Sequence, residues 1–243
     1  MGRKIENTYG RMIRGAMVVA NPIKKFAVKT HCIVHKFINI QAVQILNNDG
    51  YNEVAEFFRK NIKALNEGVT WADQDFKSSN HFYHIKKEKG LYGFSNALNE
   101  ALKYHNMAVN FLKEGKDMNK CMFYLGASCH LVQDATVPHH VNNKLLKKHR
   151  QFELWIIRRL FNDYSFAVEK DMIRYPNLED YVKKNALVAF EAHDAYNDVE
   201  DVEERYYSIS KKILNQAQRS TAGFLLDFYE EHIQNSEKNN SLN

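Results

Sequence analysis

The chain has 243 residues, of which 44% are hydrophobic and 26% charged, the balance of a folded globular protein rather than a disordered one. Only 10 Gly and 3 Pro occur, too few for an all-β fold built on many tight turns. The net charge of +5 is mild; it favours anionic partners without identifying one.

In chain order, residues 1–30 are basic, and their longest apolar run, Ala16 to Ala20, is broken by Asn21 and Pro22. That run is shorter than the apolar core of an export signal, and no stretch of the chain is long and apolar enough to predict a transmembrane helix. Helical periodicity then takes over. Helices are expected over 35–47, 51–66, 91–112, 117–134, 144–163, 178–196 and from Tyr206 to Phe228. The clearest is the face with three-and-four spacing, Phe94, Ala97, Leu98, Ala101, Leu102, His105, Ala108 and Phe111. Gly68 reads as the stop of the second helix and Pro138 as the stop after 117–134. QNSEKNNSLN at the end reads as a polar tail. No repeat or linker divides the chain. The prediction is an all-α, single compact multi-helix domain over 31–232, with an N-terminal segment 1–30 and a tail 233–243. Cys32, Cys121 and Cys129 have no disulfide spacing and read as small buried hydrophobes.

Chemistry concentrates in His130-Leu-Val-Gln-Asp134, Pro138-His139-His140 and His149-Arg-Gln-Phe-Glu153. Residues four apart on a helix share a face, so His130 with Asp134, and His149 with Glu153, can each grip a metal ion. Imidazole nitrogen and carboxylate oxygen are zinc ligands at roughly 2.0–2.2 Å. The first pair lies among Phe123, Tyr124, Leu125, Leu131 and Val132. Burial there is costly for His and Asp unless they are paired or metal-bound. A second cluster runs from Gly68 through Trp71, Asp73 and Asp75 to His81-Phe-Tyr-His84, and a third is His31-Cys-Ile-Val-His35.

The order of these motifs is informative. His35 precedes QAVQILNND; Gly68 to Asp73 reads G-x-x-x-A-D; HFY follows at His81 to Tyr83; then come FYLGASCHLVQDATVPHH from Phe123 to His140, His149 with Glu153, and AQRSTAGF from Ala217 to Phe224. The set resembles the bacterial zinc-dependent phospholipase C family, the catalytic domain shared by phosphatidylcholine-cleaving enzymes and clostridial α-toxin. The resemblance covers roughly 35–230. It implies His81, His130 and Asp134 on one zinc and His140, His149 and Glu153 on a second. It also implies His35 and Asp134 on a third, and Asp73 as the carboxylate that handles the attacking water. His140 rather than His139 is chosen because it follows His130 by the family spacing.

The implied activity is a zinc-dependent phosphodiester hydrolysis with two to three ions. The expected enzyme is a phospholipase C that converts a glycerophospholipid at a membrane surface to diacylglycerol and a phosphorylated head group. A monomer is expected. Single-strand zinc nucleases share the fold and would act on nucleic acid instead, and a catalytically inactive metal- or membrane-binding relative is the third reading. The family's third zinc also uses an N-terminal Trp exposed by processing. The only Trp here are Trp71 and Trp155, so the expectation is that His31 substitutes, that the amine of a chain cleaved around Lys24 to Lys29 does, or that the third site holds metal weakly. Family analogy implies secretion, whereas the lack of an export signal is compatible with a cytoplasmic protein.

Overall fold

A computed structural model describes residues 32–74, 81–84, 96–113, 115, 117–142, 146–162 and 166–234, with the side chains of 142–150 and 161 outside the description. Its order is α1 (Ile33–Asn48), α2 (Asn52–Ala72), α3 (Ala97–Lys113), α4 (Met118–Asp134), α5 (Pro138–Asn142), α6 (Leu146–Asn162), α7 (Leu178–Tyr196) and α8 (Val202–Phe228). A π-helical turn, Tyr229–Ile233, continues α8. The fold is all-α, and no helix among the described residues is long and apolar enough to cross a membrane.

Local chemistry sets the boundaries. Gly50, at φ 95°, turns the chain out of α1, and the Tyr51 amide donates back to the Leu46 carbonyl at 2.9 Å, closing the end as a left-handed residue allows. Asp117 caps α4 by accepting from the Asn119 and Lys120 amides. Asn177 and Asp201 cap α7 and α8 in the same manner.

α4 is the central rod. From Leu125 to Asp134 every residue is buried, because α2 and α3 flank it. A helix buried around its whole circumference is a core element. α1 packs between α2 and α8. A second cluster joins Ile38 of α1 to Phe152, Ile156 and Leu160 of α6 and to Ile209 and Ile213 of α8.

Four details differ from the sequence reading, one being that the helix expected over 91–112 begins at Ala97, after the non-helical Asn96. Gly68 does not end α2, which continues to Ala72. A methyl group at Gly68 would lie 1.7 Å from the Phe123 carbonyl oxygen, and one at Gly126 would lie 1.9 Å from that of Leu65. The two glycines let α2 and α4 cross backbone to backbone, so packing overrides Gly68's helix-ending tendency. Pro138 opens α5 rather than merely stopping what precedes it, a position where its missing N–H is harmless. The C-terminal helix starts at Val202, one turn before Tyr206. Between α6 and α7, the non-helical stretch 166–177 is pinned across the molecule. The Asp171 and Met172 amides donate to Asp49 at 2.9 and 2.8 Å, and the Val168 amide to Gln218 at 2.9 Å.

Candidate metal centre

The last turn of α4 carries His130 and Asp134 on one face. Three other segments bring partners to it. The start of α1 supplies His35, the residue after α2 is Asp73, and His81 comes from the stretch that docks its Tyr83 amide on the His140 carbonyl at 3.1 Å. His81, His130 and Asp134 are each at most 3% exposed.

The distances define a triangle. Asp134 Oδ2 lies 2.7 Å from His81 Nδ1 and 3.2 Å from His130 Nε2, and those two nitrogens are 3.3 Å apart. His35 Nε2 sits 3.3 Å from the other oxygen, Asp134 Oδ1, and its ring lies 4.2 Å from that of His130. His81 Nε2 is 3.1 Å from the Ala72 carbonyl oxygen. A carbonyl only accepts, so Nε2 carries a proton, and Nδ1 is the ring atom that faces Asp134.

Two ring nitrogens and a carboxylate oxygen gathered in a dry pocket need a proton or a metal ion among them. Asp134 Oδ2 is buried and makes no hydrogen bond of acceptable geometry, and His130 Nδ1 is likewise buried without a hydrogen-bond partner. Ion contacts to Oδ2 do exist; what fails is hydrogen-bond alignment. Tetrahedral zinc, with bonds of roughly 2.0–2.2 Å, places its ligand atoms about 3.3–3.5 Å apart. Two sides of the triangle, 3.2 and 3.3 Å, are close to that spacing and the third, 2.7 Å, is shorter; the donor types are those of a zinc site.

The electrostatics agree. Burial pushes His35 toward the neutral form, but its hydrogen bond to Asp134 and that carboxylate's charge outweigh it, so its pKa is raised. At His130 burial dominates the attraction of Asp134, and the nearby His35 and His81 add to it, lowering the pKa. Burial works against ionising Asp134, yet His130 and His140 hold it well below the usual carboxylate range.

Of the residues expected from sequence, His35, His81, His130 and Asp134 meet in this cluster. Asp73 joins it: its carboxylate, His81 and His130 offer ligand atoms all within 4.8 Å of one another, as do His35, His130 and Asp134. His140 is buried with its ring centre 6.3 Å from that of His81. Its neighbour His139 instead turns its ring toward Phe152, 5.6 Å away. His149 and Glu153 both lie on α6, but the His149 side chain, along with His31, falls outside the described residues.

Three contributors carried no sequence signal. Cys32, read as a plain hydrophobe, donates its thiol to Asp73 Oδ2 at 3.3 Å. Asp73 and Asp134 surround that thiol after burial has already raised its pKa. Gln133 and Asn39 are fully buried and hydrogen-bond each other at 2.8 Å directly behind His35.

Fold and site together define an all-helical domain whose His/Asp cluster, centred on a His-x-x-x-Asp helix turn, could hold a metal ion. Residues 34–219 match the zinc dependent phospholipase C family, and the chain belongs to that family. The fold is similar to that of an alpha toxin from Clostridium absonum (TM-score 0.70, 18% identity, covering 82% of this chain and 63% of that one). It is similar also to the Clostridium perfringens alpha-toxin of avian strain SWCP (TM-score 0.69, 20% identity, covering 82% and 64%). The chain thus spans less than two thirds of the length of these toxins. No curated protein sequence matches the chain.

Proposed function

We propose that the chain is a zinc-dependent phosphodiester hydrolase, a phospholipase C that cleaves a glycerophospholipid into diacylglycerol and a phosphorylated head group. The observation that carries this reading is the buried triangle of His81 Nδ1, His130 Nε2 and Asp134 Oδ2, in a chain of this family. His81, His130 and Asp134 would hold one zinc, and His35 with Asp134 a neighbouring one. His140, with His149 and Glu153 of α6, would hold another. Bound zinc supplies positive charge for the phosphate oxygens and lowers the pKa of a coordinated water.

The chain's own groups do the rest. Asp73 accepts a hydrogen bond from the attacking water and orients it, with the Cys32 thiol steadying the second carboxylate oxygen. The buried walls of α4 exclude bulk water and so strengthen each of these charge interactions.

The test is metal content together with turnover on two substrates: phosphatidylcholine vesicles and single-stranded DNA. Zinc at two or more equivalents with diacylglycerol release supports the proposal. DNA cleavage without lipid turnover would assign the chain to nuclease chemistry, and stoichiometric zinc with neither activity would assign it a binding role.

A further inference from the structure

We infer that Gln133 is a positioning residue that fixes the tautomer of His35, so that the ring offers its Nε2 lone pair, rather than a proton, beside Asp134. The inference rests on the metal-bound reading above and adds a residue to it.

Gln133 is 1% exposed, and Asn39 and Thr221 are 0%, so each polar atom here must find its partner inside the protein. The Gln133 amide nitrogen donates to Asn39 Oδ1 at 2.8 Å and to Thr221 Oγ1 at 3.3 Å. Both of its N–H groups are thereby used, and Oε1 is left facing His35 Nδ1 at 2.9 Å. An amide oxygen only accepts, so the imidazole proton is on Nδ1. In the neutral ring that a metal ion requires, Nε2, 3.3 Å from Asp134 Oδ1, is then bare.

The direction of this relay is set further back. Asn39 Nδ2 donates to Asn66 Oδ1 at 2.9 Å, which obliges Asn39 to present its oxygen to Gln133. Reversing all three amides would keep the same number of hydrogen bonds. Gln133 would then donate to His35 Nδ1, the ring proton would move to Nε2, and that proton would point at Asp134. Such a ring is a good hydrogen-bond donor and no metal ligand. The amide relay from α2 through α1 to α4 therefore decides between two states of one histidine, and α8 adds Thr221 as a second acceptor. Outer-shell acceptors of this kind are worth about 10–100-fold in metal affinity. An amide polarises the ring less than a carboxylate would, so the acceptor's charge should grade the affinity.

The experiment combines two measurements on the full chain. Histidine-selective ¹⁵N labelling, with the His35 signals assigned by their loss in His35→Gln, reads the tautomer in unaltered protein. Competition titration of zinc against a chelating dye reads affinity in Gln133→Met and Gln133→Glu. The expected result is a protonated Nδ1 and bare Nε2 at His35. Gln133→Met should bind its weakest zinc about 10–100-fold less tightly, and Gln133→Glu as tightly as the original or more so. A neutral His35 ring with its proton on Nε2 rather than Nδ1 in the unaltered protein would overturn the inference even if Gln133→Met fails to fold. So would unchanged affinity in Gln133→Met, or equal losses in both variants. If the unaltered protein binds no zinc at all, the metal reading fails by itself, and the tautomer measurement still decides the role of Gln133.

Discussion

Replacing Gly68 with alanine sets two effects of opposite sign against each other. In an ordinary helix interior the change stabilises by about 0.5–1 kcal/mol, because glycine is the poorer helix former. Here the added methyl group would sit 1.7 Å from the Phe123 carbonyl oxygen and 2.7 Å from its carbon. Both atoms are backbone, so no side-chain rotation relieves the clash, and α2 must retreat from α4 by upward of about 1 Å. Overpacking costs about 1–3 kcal/mol, and a backbone clash belongs at the upper end, leaving a net loss of about 2 kcal/mol. The retreat also carries Asp73, five residues further along, away from His130. Misplacement on that scale can lower turnover about 100-fold. Urea denaturation of the zinc-loaded protein, with turnover measured in parallel, checks both consequences. A Gly68→Ala protein as stable as the original, or more stable, would refute the close-crossing argument and leave helix propensity in charge.

Asp134→Asn removes the charge shared by three histidines; outer-shell losses run to about 100-fold, and zinc affinity should fall by more than that in a titration of the purified variant. Asp73→Asn should retain its metal content, measured by mass spectrometry, while turnover drops about 10²–10⁴-fold, the usual worth of a positioned acid–base group. A third expectation concerns pH. Burial, reinforced by His232, lowers the His105 pKa from 6.5 to about 4, so the folded state favours the neutral ring. Its contribution is complete above pH 6.5 and is lost as pH falls from there toward 4, a difference of at most about 3 kcal/mol. Other groups also change stability with pH, so the quantity to measure is the difference in urea midpoint between the original and His105→Phe. That difference should change across this window and stay constant above pH 7.

Much of this architecture is legible in sequence wherever the signal is local. The helix expected over 178–196 is Leu178–Tyr196, and that expected over 117–134 is Met118–Asp134, because apolar spacing and the caps Asn177 and Asp117 act within one turn. The four-residue spacing of His130 and Asp134 likewise announces a shared face. What stays hidden depends on distance along the chain. Gly68 reads as a stop until Phe123 is seen against it. The stretch 166–177 has no periodicity of its own and is shaped by Asp49, more than a hundred residues earlier. Asn39 and Gln133 are common polar residues whose pairing is a property of the packed helices, not of their spacing. Cys32 resembles any buried cysteine until Asp73 is placed beside it.

The placement of α1 also has a consequence during synthesis. Ile38 completes its cluster only with Ile209 and Ile213 of α8, and Asp49 finds its amides only at Asp171 and Met172. At about 5–20 residues per second, a ribosome needs roughly 10–40 s to make the chain between Ile38 and Ile213. For that interval the face of α1 that meets α8 lacks its last partner, although α2 and later α6 can already pack against the helix. The nascent chain is therefore most exposed to aggregation, and most in need of a holding chaperone, until its last helix is out.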